Sequence, residues 1–320
     1  PEHPDTAQSL NNLGELYLLM GDYARADTLH QRALKIAEKS LGSEHPDTAS
    51  FLRNLAELYS AMRDYARADP LHQKALKIRE KSLGTEHPDT AESLNSLGVL
   101  YLLMGDYARA EPLYKRSLKI REKILGSEHP NTAESLNNLG LLYFKTSDYA
   151  RAEPLFQRSL KIYEESLGRE HPNTAISLKS LAELYEKTGD YSRAEPMYKR
   201  VLKMAEKSLG PEHPDTATYL NNLAGLYWAM DDYARAEPMY KRSLKIREKV
   251  LGPEHPLTAG SINNLAHLYF RMSDYKRAEP FYKRALKIRE KVFGSEHPNT
   301  AESLNNLGSL YSAMVDYSRA

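Results

Sequence analysis

Eight histidines recur every 42 residues, at His3, His45, His87, His129, His171, His213, His255 and His297, each inside a Glu-His-Pro-x-Thr-Ala hexapeptide. Imidazoles are the commonest nitrogen ligands of metals, so an array of them is the first feature that could do chemistry. Its geometry argues otherwise. Packed helices lie about 8–10 Å apart, too far for one ion to draw ligands from successive units. No acidic or cysteine partner recurs at ligand spacing either, and no metal or other cofactor is expected. A second array, Lys35, Lys77, Lys119, Lys161, Lys203, Lys245 and Lys287, could track phosphates. Glu38, Glu80 and Glu122 are interleaved with it, however, and it reads as a solvated face. His267 is the one histidine at a position that no other unit repeats, and it has no evident nucleophile nearby. Without a Ser/His/Asp or paired-carboxylate constellation, no catalytic residue is assigned and the chain is not expected to be an enzyme.

Bulk properties narrow the partners. The 320 residues carry 44 Lys plus Arg against 43 Asp plus Glu, so no net field draws the protein to nucleic acid or an anionic membrane. There is no cysteine, which excludes disulfides and thiol chemistry and fits a reducing, cytoplasmic location. No apolar run approaches the ~18 residues of a membrane span.

What could position these residues is a repeat. Pro4, Pro46, Pro88, Pro130, Pro172, Pro214, Pro256 and Pro298 keep the 42-residue period without insertion. The units are 1–42, 43–84, 85–126, 127–168, 169–210, 211–252 and 253–294, with a partial eighth at 295–320, forming a single array over 1–320. Pro1 lies inside a linker and the chain stops part-way through a unit, so it reads as a fragment of a longer chain. Each unit predicts two helices. Leu10, Leu13, Leu16, Tyr17 and Met20 have helical spacing and place helix A at about 5–20. Pro suits its first turn, and the following Asp or Asn is expected to cap it, with a capping box at Asp89–Glu92, Asn131–Glu134 and Asn299–Glu302. Leu257 should then cap poorly. Gly21, Gly105 and Gly189 suit a left-handed helix end. Arg63, Ser147, Asp231, Ser273 and Val315 stand at that place in other units, and the conformation would strain Val315. The next residue, from Asp22 to Asp316, is the expected cap of helix B. That helix should bury Ala26, Leu29, Leu34 and Ile36 and end at Leu-Gly. Pro70 and its equivalents should kink it, whereas Thr28 should not. Gly and Ala alternate at position 14 of the unit, which suggests a close backbone there.

Leu13-Gly14, Tyr17, Gly21, Tyr23, Ala26 and an aromatic such as Tyr114 have tetratricopeptide-repeat order and spacing. The 42-residue unit resembles the repeats of kinesin light chain and its bacterial relatives. It departs from the ordinary 34-residue pattern where Glu38, Glu80 and Glu122 replace the usual closing proline. The resemblance implies an all-α, right-handed superhelical solenoid that binds extended peptides in a concave groove lined by helix A, with no enzymatic activity.

Positions 8, 12, 15 and 19 of the unit form a stripe away from the core, flanked by 11 and 18. Asn recurs at position 12 (Asn54, Asn138, Asn222, Asn264) and position 11 (Asn95, Asn137, Asn221, Asn263). An amide both donates to and accepts from a peptide backbone. The alternative is that these amides tie adjacent helices together. Positions 15, 18 and 19 vary while the core stays fixed: Leu141, Glu183 and His267; Phe144, Trp228 and Phe270; Lys145, Lys187 and Arg271. With Lys179 they complete the candidate peptide-binding groove. The expected partners are proteins or peptides. Alternatives are a rod that associates end to end, and the recognition arm of a larger signalling protein.

Overall fold

The computed structural model describes residues 3–319, and side chains only as far as Val315. Among these residues there are fifteen helices and no strand. They alternate as A and B helices of successive repeats: α1 (Pro4–Leu19) and α2 (Tyr23–Ser40), α3 (Pro46–Ala61) and α4 (Tyr65–Leu83), α5 (Pro88–Leu103) and α6 (Tyr107–Leu125), α7 (Pro130–Lys145) and α8 (Tyr149–Ser166), α9 (Pro172–Lys187) and α10 (Tyr191–Ser208), α11 (Pro214–Ala229) and α12 (Tyr233–Val250), α13 (Pro256–Arg271) and α14 (Tyr275–Phe293), then α15 (Pro298–Arg319). The fold is therefore the expected all-α tandem array of helix-turn-helix repeats. By internal packing the chain divides into two compact units, 1–177 and 178–320.

The hexapeptide starts helix A by a different route from the one expected. The cap is histidine: His45 Nδ1 accepts from the Asp47 N–H at 3.2 Å, and the same bond forms at all eight histidines. Pro fills the first helical position, and the residue after it donates its N–H whatever its side chain. Leu257 accordingly starts α13 as well as Asp does elsewhere, with His255 Nδ1 at 3.1 Å. The capping boxes do not form, because Glu92 and Glu134 turn to Arg79 and Arg121 instead. Thr48 Oγ1 donates to the Gly42 carbonyl at 2.8 Å, a bond repeated in each later linker that pins the loop to the helix it launches.

Helix A ends in a left-handed residue, with Gly21 at φ 76° and Arg63, Ser147, Asp231 and Ser273 at φ 56–61°. Asp64 N–H then reaches back to the Tyr59 carbonyl at 2.8 Å, closing the turn. Val315 avoids the strain rather than bearing it. α15 runs on through Val315 and Asp316 to Arg319, so the expected break is absent among the described residues, and the Asp316 side chain expected to cap helix B lies outside them. Elsewhere Asp caps helix B as expected, Asp64 Oδ1 accepting from the Arg67 N–H at 3.2 Å. Pro70 and its equivalents sit inside helices that continue through them.

B helices pack on the A helix before and the A helix after them: α2 lies between α1 and α3, α4 between α3 and α5, and α12 between α11 and α13. Buried alanines such as Ala26, Ala68 and Ala110 let the hairpins close. At position 14 the near neighbour is a ring, not a backbone. A Cβ on Gly98 would lie 2.8 Å from Tyr114, and one on Gly140 would lie 2.8 Å from Phe156. Leu13 and Leu16 do not join the core expected of them: they are 41 % and 51 % exposed, and Met20 is exposed too, whereas Leu55 and Leu58 are buried. The difference is the area that a preceding repeat covers.

Candidate functional site

The A helices of successive repeats lie side by side, α1 with α3, α3 with α5, α5 with α7 and α13 with α15. The varied stripe runs across them, and it has a different chemistry in each unit.

In residues 1–177 the stripe opens into a cavity of about 860 Å³ between α3 and α5, completed by residues of α4, α6 and α7. Val99, Leu100 and Leu103 give it an apolar wall, and Arg53, Glu57 and Glu92 a charged one. Arg53 Nη1 donates to Glu57 Oε1 at 3.0 Å and faces Glu92 Oε1 at 3.4 Å. Ser96 also donates to Glu57, at 3.2 Å. Burial raises the Glu57 pKa; Arg53 and Ser96 pull it down, and Glu92 and Glu15 add to the rise. Behind the wall, His72 is buried, and desolvation, helped by Arg53, lowers its pKa to about 4. None of the three wall charges was among the residues assigned from sequence. Their signal was their place in the unit: Glu92 stands at position 8 and Glu57 at position 15 of the stripe, and Arg53 breaks the Asn pattern at the flanking position 11.

The asparagines of this unit are engaged between repeats. Asn54 is buried and donates to Glu15 at 2.9 Å; Asn95 is buried and donates to Glu134 at 3.1 Å; Asn138 donates to Asn95 Oδ1 at 3.0 Å. Asn137 is buried too, and its Oδ1 is unpartnered. Leu141 and Phe144 are half-buried on the surface of α7, with the Phe144 ring 5.7 Å from Tyr149, and Lys145 is exposed.

In residues 178–320 the structure gathers four of the sequence-assigned residues. The Trp228 and His267 rings lie 5.0 Å apart, the His267 and Phe270 rings stack at 6.3 Å, and the Arg271 guanidinium carbon sits 5.0 Å from the Trp228 ring centre. Arg271 is anchored by Asp231 at 3.0 Å. Burial, then Arg271, lowers the His267 pKa, so this imidazole is neutral at pH 7. The Trp228 N–H is shielded from solvent and has no acceptor. Asn221 donates to Ser261 at 3.2 Å and the buried Asn263 accepts from Asn306 at 3.0 Å, whereas half-buried Asn222 and Asn264 make no side-chain bond among the described residues. Lys179 pairs with Glu183 at 3.4 Å, apart from the aromatic cluster, and Lys187 is exposed. Glu186, not assigned from sequence, accepts from the buried Tyr198 at 2.6 Å.

The profile of the tetratricopeptide repeat matches residues 5–81, 47–123, 103–165, 132–207, 193–249, 215–291 and 257–320. The chain belongs to the tetratricopeptide-repeat family. Among solved tetratricopeptide-type structures, BtubC (BKLC) from P. vanneervenii is 25 % identical, covering 72 % of this chain and 92 % of its own, with a TM-score of 0.61. A putative kinesin light chain from P. anserina with nearly identical repeats is 27 % identical over 64 % of this chain and 97 % of its own, at TM-score 0.55. A Rap protein solved in complex with Competence and Sporulation Factor shares the fold at 16 % identity, over 98 % of this chain and 89 % of its own, at TM-score 0.62. No curated protein matches significantly in sequence. Among the described residues no helix of this tetratricopeptide array is long and apolar enough to cross a membrane.

Proposed function

We propose that the chain is a non-catalytic, cytoplasmic interaction scaffold that holds extended peptide segments along its A helices. The observation that carries this reading is the cluster of Trp228, His267, Phe270 and Arg271. Four side chains from two successive A helices converge outside the repeat core, with an indole N–H lacking an acceptor. A buried N–H without a partner costs about 1–3 kcal/mol, which a carbonyl of a bound chain would recover if the ring tilted to meet it. Tryptophan and arginine are the residues that most often dominate binding energy. Half-buried Asn222 and Asn264, with their amides uncommitted, extend the same surface with groups that read a backbone rather than a side chain. The Rap protein that shares the fold is itself solved with a bound factor.

The test is selection of an unbiased peptide library on the intact chain, followed by affinity measurement on Trp228→Ala and Asn222→Ala. Loss of an anchor worth about 2 kcal/mol should weaken a selected peptide roughly 30-fold in Trp228→Ala. Peptides whose affinity is the same in both variants would place the binding surface elsewhere.

A further inference from the structure

Five of the seven junctions between repeats bring two positions together: position 37 of one repeat, near the end of helix B, and position 9 of the next, early in helix A. At four of the seven junctions the pair is Arg and Ser. Arg79 donates to Ser93 at 3.0 Å, Arg121 to Ser135 at 2.9 Å, Arg247 to Ser261 at 2.9 Å and Arg289 to Ser303 at 2.8 Å. Each arginine also donates to a backbone carbonyl in the first turn of that helix A, 2.7–3.0 Å away. At two junctions the chemistry inverts: Ala37 meets Phe51, and Ala205 precedes Tyr219. The volume lost on one side of the junction is regained on the other. Phe51 packs with Ala7, Ala33, Ile36 and Ala37 in one apolar cluster. The remaining junction has Tyr163 before Ser177. Arg is always followed by Ser, and an aromatic is always preceded by Ala.

We infer that positions 37 and 9 form a matching key that separates two kinds of junction, so that a repeat ending in Arg docks on one that opens with Ser, and a repeat that opens with an aromatic docks behind one ending in Ala. The mismatches are costly in both directions. Arg79 and Arg121 keep only 4 % of their side-chain surface exposed. Opposite a phenyl ring such an arginine would lose its hydroxyl acceptor and have no room. Ala opposite Ser would leave a void with a polar edge. The carboxylate at position 8 is a supplement to the key rather than part of it. Glu92 and Glu134 pair with their arginines, but Gly260 stands opposite Arg247, which keeps Ser261 and donates from Nη2 to Thr218 Oγ1 at 3.0 Å, as Arg79 Nη2 donates to Ser50 Oγ at 2.9 Å. Discrimination by unpaired charge and misfit volume is how otherwise similar interfaces exclude wrong partners. A tandem array of look-alike modules has that need, since exchange of one module for another is its characteristic way of misassembling.

Two reciprocal cycles on the full chain test the key, read by amide hydrogen exchange in the helices of each junction. The first comprises Ala37→Arg, Phe51→Ser and the double variant; the second comprises Arg121→Ala, Ser135→Phe and the double variant. A buried unpaired charge or a core cavity should each speed local exchange on the order of 100-fold in the single variants. The double variants should recover most of that protection. Recovery at either junction supports the key, including when the other double variant does not fold. Effects that simply add in both doubles would overturn it.

Discussion

Tyr101 Oη donates to Asp69 Oδ1 at 3.0 Å, joining the A helix of one repeat to the B helix of the repeat before it. The same phenol ring carries the Arg109 guanidinium 4.1 Å from its centre, and Arg109 Nε is held by Asp106 at 2.5 Å. One tyrosine therefore closes its own hairpin with its face and grips the previous repeat with its hydroxyl. Tyr59, Tyr143, Tyr227 and Tyr269 repeat both contacts. Tyr101→Phe removes only the grip. It should cost about 0.5–1.5 kcal/mol in urea titration and leave the hairpin intact by circular dichroism. Burial, then the hydrogen bond to Asp69, raises the Tyr101 pKa. The folded state thus holds the phenolic proton more tightly, and this stabilisation is present below pH 10 and is lost as pH rises beyond it.

Acid should act through His72. Its pKa is about 4 in the fold against 6.5 unfolded, so the unfolded chain binds a proton first, and stability falls as pH drops from 6.5 towards 4. The full loss is about 3 kcal/mol at 1.36 kcal/mol per pKa unit. His72→Tyr should remove the His72 share of that loss and leave the shares of His30, His255 and His267, whose pKa values burial also lowers. The change is tolerable because Tyr198, Tyr240 and Tyr282 already occupy this position in repeats that, like the second, carry Ala at position 14. Melts of both proteins between pH 7 and 4 decide the matter. Parallel decline of the two would assign acid sensitivity to other groups. The carboxylates of Asp64, Asp106 and Glu111, held below their ordinary pKa chiefly by side-chain hydrogen bonds from Arg67, Arg109 and Lys115, lose their stabilisation only as pH falls through the lower carboxylate range.

Two glycines at position 14 should respond differently to alanine. A Cβ at Gly98 meets the Tyr114 ring at 2.8 Å, whereas one at Gly308 meets nothing within 4 Å. Gly98→Ala must shift a buried ring and should cost about 1 kcal/mol, the low end of overpacking, because Tyr198, Tyr240 and Tyr282 already stand in repeats that carry Ala at position 14. Gly308→Ala keeps the propensity gain of about 0.5–1 kcal/mol. Equal shifts in the two melts would mean that the ring moves freely.

The period, the hairpin and the Asp cap of helix B were legible because all seven full units repeat them, so local chemistry and copy number agreed. The Arg53–Glu57–Glu92 wall was hidden for the opposite reason. It exists in one place only, and a single Arg in a column of Asn resembles drift until the carboxylates around it are known. Asn95 and Asn222 show the limit of helical phase as a guide. They stand one column apart on similar faces, yet Asn95 is sealed against Glu134 while the Asn222 amide bonds to no described side chain, because burial at positions 11 and 12 depends on how closely the next A helix approaches.

The sequence points to Asp or Asn as the cap of helix A because both outrank His as caps in general. Here the chain enters through His at φ near −75° and ψ near 140°, which aims Nδ1 back at the second helical N–H while Pro occupies the first position. The Asp side chain of the hexapeptide then has no capping bond to make. His129→Ala should therefore destabilise by about 0.5–2 kcal/mol, whereas Leu257→Asp should change little, since His255 already caps α13. Both effects are read from urea midpoints with unchanged slopes. A large gain from Leu257→Asp, or none lost from His129→Ala, would return the capping role to the residue after proline.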